Sequence, residues 1–180
     1  MVRFVWISTL LMATFVAISP VYGEDAAARP PAAAPSQLTE SYDDWSVACA
    51  EIEGRKHCLL SQRQFHKSGQ HVLTLELRLA DKGGLEGSLA LPFGLYLGRG
   101  VTLGVDDAGG GKPSAFRTCL PFGCVVPLTF TEATVTLLRN GQALKIGAFA
   151  SDSEKDVAFS VSLKGFATAL DRVIALSEKS

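Results

Sequence analysis

Apolar side chains recur at every second position through most of this chain, and that period leaves few folds open. Leu73, Leu75, Leu77 and Leu79 alternate with Thr74, Glu76 and Arg78. Val101, Leu103 and Val105 alternate with Thr102, Gly104 and Asp106. Leu144, Ile146 and Ala148 alternate with Lys145 and Gly147, and Val157, Phe159, Val161 and Leu163 alternate with Ala158, Ser160 and Ser162. Successive side chains of a strand point to opposite faces, so each run specifies a strand with one buried and one wetter face. Shorter runs at 46–49, 57–64, 87–91, 115–119 and 125–130 read the same way. Lys67-Ser68-Gly69, Lys82-Gly83-Gly84, the stretch 107–113 and Asn140-Gly141 supply turn chemistry between them. Many short strands at this spacing predict an all-β, mainly antiparallel β-sandwich-like or barrel fold.

Two segments depart from period two. Phe166, Ala169, Leu170, Val173 and Ile174 fall on one helical stripe after Gly165, which predicts a short C-terminal α-helix over 166–176. In 132–139, Thr131 can cap a helix and Asn140-Gly141 can end it, while Thr134, Val135 and Thr136 resist one. The balance predicts one or two helical turns.

The N-terminus reads as a targeting signal. Arg3 precedes an uncharged apolar run, 4–18; Pro20 breaks it, and Val21-Tyr22-Gly23 suits a cleavage site. The run is short for a membrane span, which needs about 20 residues. An uncleaved anchor is the alternative, and the first cysteine, Cys49, lies too far downstream for a lipid anchor at the cut. Removing 1–23 leaves 180 − 23 = 157 residues and 17 − 1 = 16 basic against 18 acidic groups. That size predicts one domain with a true core. The near-neutral balance points away from nucleic acid as a partner. Residues 24–40 are rich in Ala and Pro and read as a linker, leaving 41–180 as the domain.

An exported chain with four cysteines predicts two disulfides among Cys49, Cys58, Cys119 and Cys124. Three connectivities exist. Cys49–Cys58 and Cys119–Cys124 are favoured because each spans a turn-forming segment. Loops so short contribute roughly 2–3 kcal/mol each by chain entropy, so they staple corners rather than the whole fold. Zinc is disfavoured because no C-x-x-C knuckle is present.

A set of motifs in fixed order then carries a family resemblance. It comprises Trp45-Ser46-Val47-Ala48-Cys49, then Cys58 with Gln62, then Leu91-Pro92-Phe93-Gly94-Leu95-Tyr96-Leu97-Gly98-Arg99-Gly100-Val101. Phe116-Arg117-Thr118-Cys119 with Gly123-Cys124, Asn140-Gly141, and Ser162-Leu163-Lys164-Gly165-Phe166 with Ala169-Leu170 follow. In this the chain resembles the invasion-associated locus B family of exported proteobacterial proteins. The resemblance implies a sandwich-like β domain in the periplasm or outside the cell, and a role that in some pathogens concerns invasion of host cells. It brings no catalytic or ligand residue with it.

The residues themselves offer little chemistry. His66 and His71 straddle a turn and could face each other, but a metal site needs further ligands, and His57 stands apart. Gly109-Gly110-Gly111-Lys112-Pro113 fails as a phosphate loop: Asp106 replaces its first glycine and Pro113 its Ser/Thr. Asp43-Asp44 and Asp106-Asp107 are adjacent only in sequence, and neighbours on a strand face opposite ways. There is no G-x-S-x-G and no H-E-x-x-H. The expectation is therefore no catalytic, metal or cofactor site. It is instead a non-enzymatic binding or envelope-associated role toward a protein or an envelope or host-surface component, with no membrane span after cleavage. A small periplasmic hydrolase assembled only in three dimensions, or a structural envelope stabiliser, is the alternative.

Overall fold

The structure, a computed structural model, describes residues 38–107 and 110–177. The leader 1–23, residues 24–37 of the Ala/Pro segment and the first of the three glycines, Gly109, lie outside the described residues.

Five strands form an antiparallel meander: β1 (Leu38–Tyr42), β2 (Trp45–Ile52), β3 (Arg55–Phe65), β4 (His71–Leu79) and β5 (Leu85–Leu91). A 3-10 turn at Leu97–Arg99 leads into β6 (Thr102–Val105), and the chain returns as β7 (Thr118–Leu120) and β8 (Gly123–Phe130). Helix α1 (Glu132–Asn140), strands β9 (Ala143–Phe149) and β10 (Asp156–Ser162), and helix α2 (Phe166–Ser177) complete it. The strands make a seven-stranded sheet in the order β1-β2-β3-β4-β5-β8-β7 and a three-stranded sheet in the order β10-β9-β6. This is the all-β, antiparallel architecture that the alternation demands, with the C-terminal helix in place.

The inner face of the large sheet carries Trp45, Val47, Leu60, Leu73, Leu75 and Leu77 into one core. Leu144, Ile146 and Val161 of the small sheet and Phe166, Ala169, Leu170 and Val173 of α2 cover it. Trp45 meets Phe166 edge-on with ring centroids 5.0 Å apart. The second layer is thus part sheet and part helix.

The two layers are joined along one edge by side chains. Trp45 Nε1 and Gln62 Nε2 each donate to the Ser162 carbonyl at 2.9 Å, and Gln64 Nε2 donates to the Ser160 carbonyl at 2.9 Å. These carbonyls belong to edge strand β10, which has no strand neighbour on that side. The seam satisfies an edge that would otherwise bury bare acceptors. It also explains why Gln62, 5% exposed, sits in an apolar interior.

Several boundaries differ from expectation, and three of them have a visible physical reason. β1 begins at Leu38, inside the segment read as linker 24–40. Its middle residue, Glu40, pairs with Arg172 of α2 rather than packing as an apolar group, and this breaks the alternation that would have marked the strand. β7 is Thr118–Leu120 rather than 115–119, because Ser114 is still paired with Val101 and the chain crosses between sheets after it. Helix α1 runs for nine residues. Thr131 caps it by accepting from Thr134 N–H, and the Thr136 hydroxyl donates to the Glu132 carbonyl, so the β-branched residues are accommodated.

Candidate binding surface

The cysteines pair as Cys49–Cys58 and Cys119–Cys124. In each pair the partners stand directly opposite on adjacent antiparallel strands, β2 with β3 and β7 with β8. The two bridges sit at opposite ends of the large sheet.

The histidines are held locally. His66 Nδ1 lies 3.1 Å from Ser68 Oγ, and His71 Nε2 lies 2.8 Å from Thr74 Oγ1. His57 stands opposite Ala50 in the β2–β3 hairpin. Among the described residues no three His, Cys, Asp or Glu groups converge as metal ligands. Asp106 does more than favour its turn: its carboxylate accepts from the N–H groups of Gln142 at 3.0 Å and Ala143 at 2.9 Å, fixing the α1–β9 corner. Asp43 pairs with Lys164 at 3.0 Å beside the β10–α2 corner.

Among the described residues no second layer covers the outer face of the large sheet, and its end near Phe65, Leu91 and Gly123 is apolar. A groove of about 440 Å³ opens there. Arg63 and Phe65 of β3 form one wall, and Leu120 and Phe122 at the β7–β8 turn form the other. Thr74 and Glu76 of β4, Ser88 and Ala90 of β5 and Val125 of β8 floor it. Register explains the floor: Arg63, Thr74, Ala90 and Val125 occupy one rung across four strands. Arg63 and Glu76 pair diagonally at 3.2 Å, and His71 meets Phe65 edge-on.

The surrounding residues extend this character. Leu91 pairs with Cys124, so Phe93 leaves β5 beside the turn that holds Phe122. Tyr96 and Leu97 follow within the same connection, which returns to Phe149 and Ala150 at that end of the small sheet. Of the eight large apolar side chains exposed among the described residues, six belong to this end: Phe65, Phe93, Tyr96, Leu97, Leu120 and Phe122. They are 40–61% exposed; the other two are Ile52 at the far end and Leu137 on α1. Monomeric proteins rarely gather exposed apolar groups in this way unless the patch meets something.

The sequence named none of these residues as a site. Leu91 to Val101 carries part of the family resemblance, and its first five residues, Leu91 to Leu95, read as a strand end, a turn and a re-entry. The one available signal was that Phe93, Tyr96 and Leu97 cluster around Pro92 and Gly94, in a connection too irregular to bury them all.

These features define a small disulfide-stapled sandwich with one bare sheet face that ends in an apolar groove. Comparison with known proteins places it further. The profile of the Invasion associated locus B (IalB) protein family matches residues 45–174. An invasion protein B homolog of Brucella abortus (strain 2308) is 40% identical over 166 residues, 92% of this chain and 94% of the relative. Invasion protein B of Bartonella bacilliformis is 36% identical over 146 residues, 79% of this chain and 78% of the relative. The crystal structure of invasion associated protein B from Bartonella henselae matches with a TM-score of 0.75 at 34% identity, over 79% of this chain and 98% of that one. The chain belongs to the invasion-associated locus B family.

Proposed function

We propose that this chain is an exported, non-enzymatic binding protein that engages a protein or an envelope or host-surface component through the apolar end of its large sheet. The observation that carries the reading is a groove whose walls carry three exposed large apolar side chains, Phe65, Leu120 and Phe122. Two disulfides suit an oxidising compartment. Among the described residues no helix is long and apolar enough to cross a membrane. The names of the relatives support a link to host-cell invasion.

The test is site-specific photo-crosslinking in intact cells, with the probe at Phe122 in one sample and at Ile52 in another. Specific products are expected from Phe122 and not from Ile52. They should diminish when Phe65→Ser or Phe93→Ser is added. Equal products from both ends, or products indifferent to the serine variants, would remove the proposal.

One observation favours the hydrolase alternative. Thr74 Oγ1 and His71 Nε2, 2.8 Å apart in the groove, have the spacing of a nucleophile and its base. Among the described residues no carboxylate is hydrogen-bonded to His71, and Glu76 pairs with Arg63. The binding reading expects no turnover of activated esters or amides. Turnover abolished by both Thr74→Val and His71→Asn would establish the enzyme instead.

A further inference from the structure

We infer that Cys119–Cys124 is a redox-sensitive clamp on one wall of the groove, whereas Cys49–Cys58 is a permanent staple; the consequence for binding rests on the function proposed above. The two bridges have the same cross-strand placement and very different surroundings. Cys49 is 3% exposed and belongs to the core, its partner Cys58 is half-buried against that core, and the bond joins strands of eight and eleven residues that share seven paired positions. Opening that bond would leave a long ladder with its packing in place.

Cys119 is exposed and lies on a three-residue strand whose other residues are exposed too. β7 is the edge strand and pairs only with β8, at three positions, of which the middle one is the disulfide itself. No side chain of β7 is buried under the second layer. An edge strand held by three paired positions and no buried side chain has little besides its ladder to β8 and the bond to hold it, so the bond is what orders Leu120 and Phe122. Those two residues are the groove wall. A rigid tip bearing an exposed aromatic side chain binds without first losing loop entropy; a freed tip does not.

The chemistry is thiol–disulfide exchange with a dithiol reductant. A thiolate of the reductant attacks the exposed Cys119 sulfur, the S–S bond breaks, and Cys124 leaves as a thiolate that takes up a proton. The second thiol of the reductant then attacks the mixed disulfide and releases Cys119 as a thiol. The protein gains two thiols and the reductant becomes a disulfide, so electrons and protons balance. Because Cys124, 3% exposed, is shielded, attack is directed to Cys119.

The mature protein is titrated with dithiothreitol, quenched with an alkylating agent and mapped by mass spectrometry, with hydrogen exchange followed in parallel. The expected order is opening of Cys119–Cys124 while Cys49–Cys58 remains closed. At that point amide protection is lost across Thr118–Gly123 and kept in β2 to β4, and crosslinking from Phe65 is lost. The Cys119→Ser/Cys124→Ser double variant should reproduce this state without reductant. Opening of Cys49–Cys58 first or together with the other, or a turn that stays protected once Cys119–Cys124 is open, overturns the inference. The binding reading fails separately, if Phe93→Ser and Phe122→Ser leave crosslinking from Phe65 unchanged in the oxidised protein.

Discussion

Replacing Gly165 by alanine isolates a single close approach on which the helical part of the core depends. Gly165 has φ +85°, and a Cβ built there would collide with the carbonyl oxygen of Tyr42 and stand 3.0 Å from Asp43 Cβ. The corner between β10 and α2 is therefore pressed against the end of β1. The next residue, Phe166, is fully buried against Trp45. Gly69 is the natural control: its φ is +83°, and nothing lies within 4 Å of a Cβ at that position. An L-residue in the left-handed region costs about 1–2 kcal/mol, and loss of glycine's freedom in the unfolded chain returns about 0.4–1 kcal/mol. Gly69→Ala should therefore cost no more than about 1.5 kcal/mol. Gly165→Ala carries the same terms plus displacement of backbone against backbone, in the range of about 3–5 kcal/mol that marks severe core disruption. For a domain of this size that is roughly 6–20 °C in Tm. The assay is thermal and urea unfolding of the oxidised protein. Trp45, the one tryptophan after residue 23, gives a fluorescence signal from the packing at stake. Equal losses from the two substitutions would refute the close approach as the cause.

The layer seam should behave cooperatively. Gln62→Leu alone leaves the Ser162 carbonyl its bond from Trp45, and Trp45→Phe alone leaves it the bond from Gln62. The double variant leaves it bare, so a double-mutant cycle in urea should show about 1 kcal/mol or more beyond additivity. The Glu40–Arg172 pair gives a pH signature. Arg172, which approaches Glu40 at 2.8 Å with both Nε and Nη2, together with the Tyr42 hydroxyl, holds the Glu40 carboxyl at about 2. A lowered carboxylate contributes stability above the ordinary glutamate range and loses it as pH falls toward 2. Glu40→Gln should therefore flatten the acid limb of the stability profile. An NMR titration in which Glu40 moves like a free glutamate would refute this. At the groove, Phe122→Ser should change Tm by no more than a surface substitution does, about 0.5 kcal/mol in stability, because the ring contributes nothing to the core.

The sequence made the layers legible because burial acts on each strand separately. The leucines at 73, 75 and 77 are buried just as their spacing requires, and α2 follows its stripe from Phe166 to Ser177. What the sequence hid were contacts across long intervals. Gln62 and Ser162 are 100 positions apart, and Glu40 and Arg172 are 132 apart. Each places a polar residue where periodicity expects an apolar one, so the seam looked like surface and β1 looked like linker. The groove was hidden for a related reason. Its residues are ordinary for the outer face of a strand, and only the register of four strands brings Arg63, Thr74, Ala90 and Val125 into line. The motif Leu91 to Val101 was visible, but its exposed aromatic character was not, since a phenylalanine in a loop reads first as an anchor for that loop.

The two faces of the large sheet divide the closing of the core from the proposed binding surface. Everything that closes the core lies on the inner face or along the β10 seam: the Trp45–Phe166 contact, the Gln62 and Gln64 amides and the Gly165 corner. Everything that shapes the groove lies on the outer face, on side chains that contribute little to burial. Strand β8, which the short edge strand β7 covers only in part, shows the same separation at the level of the backbone. β7 covers its first three residues, Gly123 to Val125, and Pro127, which has no N–H, stands on the uncovered half. A proline there weakens any strand that might add itself to the sheet. The domain therefore offers side chains rather than a free backbone edge at this end, and its specificity should follow the identities of Phe65, Leu120 and Phe122. Exchanging those three for the residues at matching positions of a relative should transfer partner preference with the unfolding midpoint held, whereas exchanging Gln62 or Gly165 should move the midpoint and leave preference alone.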